Sequence, residues 1–429
     1  TSVSPHGYSE TDYGSGTYYL EDPLPMDVHG TDGTTRNEIY SVGVEVGVSP
    51  AKQYFIRRDA TTGQIIQLLH PAPAFGQDAV YRAVTYDNAN DRLFIVGAEA
   101  TSFVSGPRSF FKRINPATGA TIATTFLPSA TAGACDVLVD GNGDVYVLCH
   151  QNGASSGFIV YKYTFNGTLL GSVSSSTITG FSTAQPWEME YDNLTGNIYI
   201  CGRFTSSAFI CGIDQSLSVL GTGTDANSSW GYTGIDMDNN GNLFAVGGEI
   251  VNGYGTWAEW DVSTPGSFSI NYTGMSTSVY EIADVIIDPN NRHTVLVGDK
   301  ITEILPPPFN TLDVTSNYGS LLFANGAAYF KHLHRNVTDG AYLVCALGFG
   351  FGYGPNWPTE WVAKYNYTGG PTGPSGGNPW GTNIYDGYEN KSTTSVSSLE
   401  KDNSIVLHPN PATNRLSIDL KNNDANNYR

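Results

Sequence analysis

The stretch Asp238-Asn239-Asn240-Gly241-Asn242-Leu243-Phe244-Ala245-Val246-Gly247 places a polar turn of Asp, Asn and Gly directly before a short apolar run that ends at glycine. Asn and Gly tolerate the left-handed backbone angles of a tight reversal, and an apolar run of this length suits a strand buried on both faces. Alone, this would be one hairpin. The chain writes it again and again. Asp87-Asn88-Ala89-Asn90-Asp91 leads into Leu93-Phe94-Ile95-Val96-Gly97, and Asp140-Gly141-Asn142-Gly143-Asp144 leads into Val145-Tyr146-Val147-Leu148. Asp192-Asn193-Leu194-Thr195-Gly196-Asn197 precedes Ile198-Tyr199-Ile200-Cys201-Gly202, and Asp288-Pro289-Asn290-Asn291 precedes Thr294-Val295-Leu296-Val297-Gly298. Looser copies stand at Ile39-Tyr40-Ser41-Val42-Gly43 and Ala341-Tyr342-Leu343-Val344-Cys345.

The shared position falls at Tyr40, Phe94, Tyr146, Tyr199, Phe244, Val295 and Tyr342, spaced roughly 50 residues apart, which is a period of repeat architectures. Each unit has space for about four short strands, as a propeller blade requires. The unit around Phe94 predicts strands at 83–86, 93–98, 109–114 and 121–126, with a Pro116-Ala117-Thr118-Gly119 turn between the last two. No amphipathic helix interrupts the pattern. The expected fold is all-β, a seven-bladed β-propeller of four-stranded antiparallel blades, in preference to stacked sandwiches or a β-helix. The subfamily stays open, since no Trp-Asp dipeptide marks the blades and the paired glycine of kelch repeats occurs only at Gly247-Gly248.

Composition narrows the setting. Only 14% of the 429 residues are charged, against about 25% in ordinary domains. Gly, Ser, Thr, Asn and Tyr take the space, a mixture suited to an extracellular β protein. A formal net charge of −19 argues against nucleic acid or an anionic membrane as partner, because both need basic patches. No apolar run approaches a membrane span. The sequence begins at Thr1, and a cleaved signal peptide is the expectation. Cys135 with Cys149, and Cys201 with Cys211, mirror each other about hairpin turns, so cross-strand disulfides are geometrically open to them. The competing reading, small buried hydrophobes, is the one preferred.

Four segments are expected: an irregular arm at 1–26, the propeller at 27–367, a Gly/Pro/Ser-rich linker at 368–403, and a partial C-terminal domain at 404–429. Within the arm, Thr17-Tyr18-Tyr19-Leu20 could add a strand to the last blade or to a neighbouring molecule. The C-terminal segment carries the most specific signal. Ile405-Val406-Leu407-His408-Pro409-Asn410-Pro411-Ala412-Thr413-Asn414-Arg415-Leu416-Ser417-Ile418 resembles the opening of the C-terminal sorting domain of type IX secretion cargo, found in Bacteroidota. The resemblance rests on an apolar strand, the Pro409-Asn410-Pro411 motif, a short turn and a second alternating strand. It implies a removed export signal, passage through the type IX machinery, and release or tethering at the outer cell surface. Such domains continue through further strands, whereas this sequence stops at Arg429, so a truncated domain is expected.

The candidate chemistry lies in the propeller. Four residues before the turn aspartates Asp140, Asp192 and Asp288 stand Asp136, Glu188 and Asp284, and His332 takes the same place before Asn336. Slightly upstream are Tyr81, Trp187, Trp230, Tyr232, Tyr280 and Tyr329. In a closed ring these would converge around the axis as carboxylates under an aromatic rim, a combination suited to sugars or peptides. The competing reading is that the aromatics fill blade interfaces and the acids sit in water. Asp236, Asp238 and Asn240 match the first half of a calcium loop, but the twelfth position is Gly247, so a structural turn is preferred and no cofactor other than calcium comes into question.

Catalytic motifs are thin. No two-histidine metalloprotease helix, Gly-x-Ser-x-Gly elbow or Walker loop occurs, and His332 with His334 share only a strand face. The expected function is non-catalytic binding or adhesion at the cell surface, with a glycan or surface protein as ligand. Two other classes stay open. One is a structural subunit of an extracellular filament, a homo-oligomer or polymer linked through terminal arms. The other is a polysaccharide-active enzyme using Glu188 and Asp284.

Overall fold

The structure is a computed structural model. It describes residues 29–365, apart from 34–35, 46–51, 60–64, 70–78, 101–106, 129–131, 152–156, 249–253, 267, 281, 290, 292, 298–299, 306–310, 314–318, 321–327, 336–341 and 350–357, together with 405–410 and 415–420. Two compact units divide the chain, 1–386 and 387–429. The arm with Thr17–Leu20, the linker, and Pro411 lie outside the described residues.

In the first unit the opening stretch folds as its chemistry dictates. Asp238 accepts the amides of Asn240 and Asn242 on one carboxylate oxygen at 2.8 and 2.7 Å, and the side-chain amides of the same two residues on the other at 3.1 and 3.2 Å. Gly241 takes a φ of +84°, which a residue with a Cβ resists. The chain then reverses from Gly231–Met237 into Leu243–Gly248, whose six residues are all buried. Tyr254–Asp261 and Ser269–Tyr280 complete a four-stranded antiparallel sheet in chain order.

The same sheet is built along the unit. The second blade runs Ala79–Asp87, Arg92–Ala100, Pro107–Ile114 and Thr121–Phe126, close to the strands read from sequence. Blades 1 to 5 have four strands in sequential order, and the sixth adds the short Gly319–Ser320 to its third strand. Among the described residues the seventh has three strands, Ala328–Arg335, Tyr342–Phe349 and Pro358–Tyr365. The first strands of the seven sheets are His29–Gly33, Ala79–Asp87, Ala132–Val139, Gln185–Tyr191, Gly231–Met237, Ile282–Ile287 and Ala328–Arg335. Each touches the next, and the seventh touches the first. The ring is closed, so these strands surround a central axis.

The seams between blades hold the core. The shared repeat position supplies Tyr40, Phe94, Tyr146, Tyr199 and Phe244, all at most 2% exposed, each packed into the seam with the following blade. Tyr40 stacks on Tyr86 of blade 2 with ring centroids 5.4 Å apart, and Phe158 of blade 3 stacks on Phe209 of blade 4 at 5.8 Å. Each fully buried aromatic of this kind contributes about 2–3 kcal/mol of transfer free energy before entropy is counted.

The cysteines follow the same seams. Cys149 packs in the seam of blades 2 and 3, whereas Cys135 packs against that of blades 3 and 4. Cys201 and Cys211 likewise face opposite sides of blade 4. A disulfide cannot bridge two faces of one sheet, and none of these four cysteines is in a disulfide. Dithiothreitol is therefore expected to leave the melting temperature of the protein unchanged, as measured by circular dichroism. A fall would mean that one of these pairs had formed.

In the second unit, Ile405–Asn410 and Arg415–Leu420 form an antiparallel hairpin, with Pro409 opposite Leu416 and Asn410 opposite Arg415. Pro409 removes one donor from the ladder, which a two-stranded element with free edges tolerates.

Candidate functional site

A β-bulge recurs in the first strand of every blade from the second to the seventh. The extra residue falls at Arg82, Cys135, Trp187, Thr233, Ala283 and Lys331. The residue after it is Ala83, Asp136, Glu188, Gly234, Asp284 or His332. Counting back from the turn aspartates thus located one true structural position. Ala83 and Gly234 carry no titratable group there, and at Gly234 a Cβ would lie 2.7 Å from the Asp284 carboxylate.

The acids at this position reach across the seams. The amide of Met189, in blade 4, donates to Asp136 of blade 3 at 2.8 Å, and the amide of Ile235, in blade 5, donates to Glu188 at 3.0 Å. One step further along, the amide of Ile287, in blade 6, donates to Asp236 of blade 5 at 2.6 Å. Asp136, Asp236 and Asp284 each also accept the amide of the next residue in their own strand at 2.7 Å. The reason is geometric. A first strand is the inner edge of its sheet, so alternate amides face the axis without a ladder partner and need an acceptor.

These carboxylates crowd one another. Burial, then Asp284, Asp136 and Glu190, holds Glu188 well above the usual carboxylate range. Burial, then Asp236 and Asp136, does the same for Glu190. Burial also raises Asp236, to about 7, against the opposing pull of its two backbone hydrogen bonds. Glu188, Glu190 and Asp236 are half-buried.

The aromatic rim is smaller than the sequence reading made it. Tyr81 and Tyr232 precede the bulge and are fully buried. Lys112 donates its ammonium to the Tyr81 hydroxyl at 3.3 Å, and Tyr232 donates to Asp225 at 2.8 Å. Neither turns a ring face to the axis, because each packs into a seam. Trp187 is itself the bulged residue and stays half-buried, as does Trp230. The Trp187 ring lies against Gly231, where a Cβ would come within 2.5 Å of it. The Arg203 guanidinium stands 5.9 Å from the Trp230 ring centroid and donates to the Thr205 carbonyl at 2.9 Å. Trp187, Arg203 and Trp230 thus form an aromatic and cationic surface where the first strands of blades 4 and 5 begin. Tyr280, Tyr329 and His332 lie on strands whose side chains at those positions are outside the described residues.

The calcium candidates point in different directions. Asp236 turns to the axis, while both oxygens of Asp238 are taken by its own turn, the Asn240 amide among the donors. Among the described residues no group of three or more His, Cys, Asp or Glu is arranged to hold a metal ion. Sequence reasoning missed Glu190 and Arg203. The first could have been found two residues beyond Glu188 on the same strand face, whereas nothing local marks the second.

Compared with solved structures, the chain matches a catalytically inactive virginiamycin B lyase from Staphylococcus aureus, in complex with quinupristin. The TM-score is 0.52 at 10% identity, over 76% of this chain and 90% of that one. It also matches the polysaccharide lyase Uly1 with a TM-score of 0.50 at 11% identity, over 77% and 88% of the two chains. At such identities the likeness concerns the fold alone, and it agrees with the closed ring of four-stranded sheets. The fold is a β-propeller. No protein-family model and no curated protein matches the sequence. Among the described residues no helix is long and apolar enough to cross a membrane.

Proposed function

We propose that this β-propeller is a non-catalytic binding protein that recognises an extracellular glycan or a surface protein through Trp187, Arg203 and Trp230. The observation that carries the reading is the half-buried pair of tryptophans held beside a guanidinium where the first strands of blades 4 and 5 begin. Flat indole faces stack on sugar rings or on apolar side chains, and the guanidinium supplies a directional donor. The channel acids support binding over turnover, because Asp136, Glu188 and Asp236 are committed to backbone amides of the next blade. In this reading the Pro409-Asn410-Pro411 segment serves export by type IX secretion to the outer cell surface.

The test is the double variant Trp187→Ala/Trp230→Ala, compared with wild type for retention on an array of neutral and acidic oligosaccharides and on intact cell-surface protein. Losing two anchoring aromatics is expected to weaken binding by about 100-fold, with an unchanged circular dichroism spectrum. Equal retention by the two proteins would remove this surface from consideration.

A further inference from the structure

The three cross-seam bonds join blades 3 to 4, 4 to 5 and 5 to 6 in series, and every acceptor is a carboxylate. Glu190 stands beside them on the same face of its strand as Glu188, with Met189 between them turned into the seam of blades 3 and 4. The groups that face Glu188 and Glu190 are Asp136 from blade 3, Asp236 from blade 5 and Asp284 from blade 6, with the Cys201 thiol behind Glu188 on the next strand of its own blade. The arrangement is self-opposing. The bridges draw four first strands together, while the charges that make them good acceptors push the same strands apart.

We propose that this row of carboxylates is a proton-operated fastening, in which Glu188 and Glu190 take up protons as the medium acidifies and the seams between blades 3 and 6 tighten. A carboxyl group that gains a proton still accepts an amide through its carbonyl oxygen, so the bridge from Ile235 to Glu188 survives. The new O–H becomes a donor that a neighbouring carboxylate accepts, which turns repulsion into a hydrogen bond.

The raised proton affinity of the folded state fixes the direction. Both glutamates hold their protons to higher pH in the folded ring than the value near 4.3 of an unfolded chain. Between those values the folded chain binds more protons than the unfolded one. The stabilisation is therefore fully present below the unfolded value and is lost as pH rises through the folded values.

The experiment is thermal unfolding of the full chain between pH 5 and pH 8, in wild type and in Glu188→Gln/Glu190→Gln. Glutamine keeps an acceptor for the Ile235 amide and abolishes titration. Wild type is expected to melt about 5 °C higher at pH 5 than at pH 8. The double variant should melt above wild type at pH 8 and lose at least half of that pH response. A net charge of −19 gives every such protein some gain on acidification, so the difference between the two proteins is the readout. A full wild-type response in the variant would overturn the proposal. So would calcium raising the wild-type melting temperature at pH 8 but not the variant's, since a cation and not protons would then neutralise the row. If the double variant does not fold, Glu190→Gln alone preserves the bridge of Glu188 and gives the same comparison at about half the size.

Discussion

Gly247→Ala is expected to destabilise the protein by about 3 kcal/mol or more, enough to abolish recovery of folded material at 37 °C. Gly247 closes the apolar run of the repeat and pairs with Tyr232, at the edge of the bulge in the first strand of blade 5. A Cβ there would lie 1.9 Å from the carbonyl oxygen of Gly231 and 2.9 Å from the Tyr232 Cα. Both obstacles are backbone, so no rotamer change relieves them. The first strand would have to move, and with it the Trp187 ring against Gly231 and the bond from Ile235 to Glu188. Blade 4 has the same arrangement, since a Cβ on Gly202 would stand 2.0 Å from the Gln185 carbonyl oxygen. Gly133→Ala is the contrast, because nothing lies within 4 Å of a Cβ at that strand position. It should melt at or slightly above the wild-type temperature, through reduced freedom of the unfolded chain. Urea unfolding of the two variants decides the matter, and a Gly247→Ala midpoint equal to that of wild type would refute the close backbone approach.

That glycine also shows what the sequence could and could not disclose. Turn, buried strand and terminal glycine are local chemistry written within ten residues, so the blades and their spacing were legible from Asp238 to Gly247 and its copies. The position after the bulge was legible too, because a fixed count from the turn aspartate reaches Asp136, Glu188 and Asp284 in blades 3, 4 and 6, and Ala83 and Gly234 in blades 2 and 5. The bulge was not. It inserts one residue, and an offset of one moves a side chain to the other face of a strand. Tyr81 and Tyr232 therefore lie buried before the bulge, while Trp187 occupies it and stays half-buried, although all three read alike as aromatics a few residues upstream of a turn aspartate. Nor does a sequence reveal unmet backbone donors. The role of Asp236 as acceptor for the Ile287 amide depends on a neighbouring blade 51 residues away, and only the ring brings them together.

Arg57→Met is expected to cost about 3–5 kcal/mol, whereas Arg57→Met combined with Glu38→Leu should recover most of that loss. Arg57 and Glu38 are 6% and 8% exposed on adjacent strands of blade 1. The guanidinium donates to both Glu38 oxygens at 3.1 and 2.7 Å, and its remaining nitrogen donates to Gln67 at 3.0 Å and to the Ala117 carbonyl at 2.6 Å. The last bond crosses to blade 2, at the Pro116-Ala117-Thr118-Gly119 turn. Removing the arginine alone leaves a carboxylate in a closed seam with its main counter-charge gone, and the desolvation cost of that carboxylate is the larger part of the effect. Removing both charges deletes the cost together with the attraction, so only the bonds to Gln67 and Ala117 remain missing. The pair itself lies within blade 1, and the bond to the Ala117 carbonyl is what ties the arginine to blade 2. A double-mutant cycle by chemical unfolding measures the coupling. Additive losses from the two single variants, with no recovery in the double, would show that Glu38 finds water or another partner when Arg57 is absent.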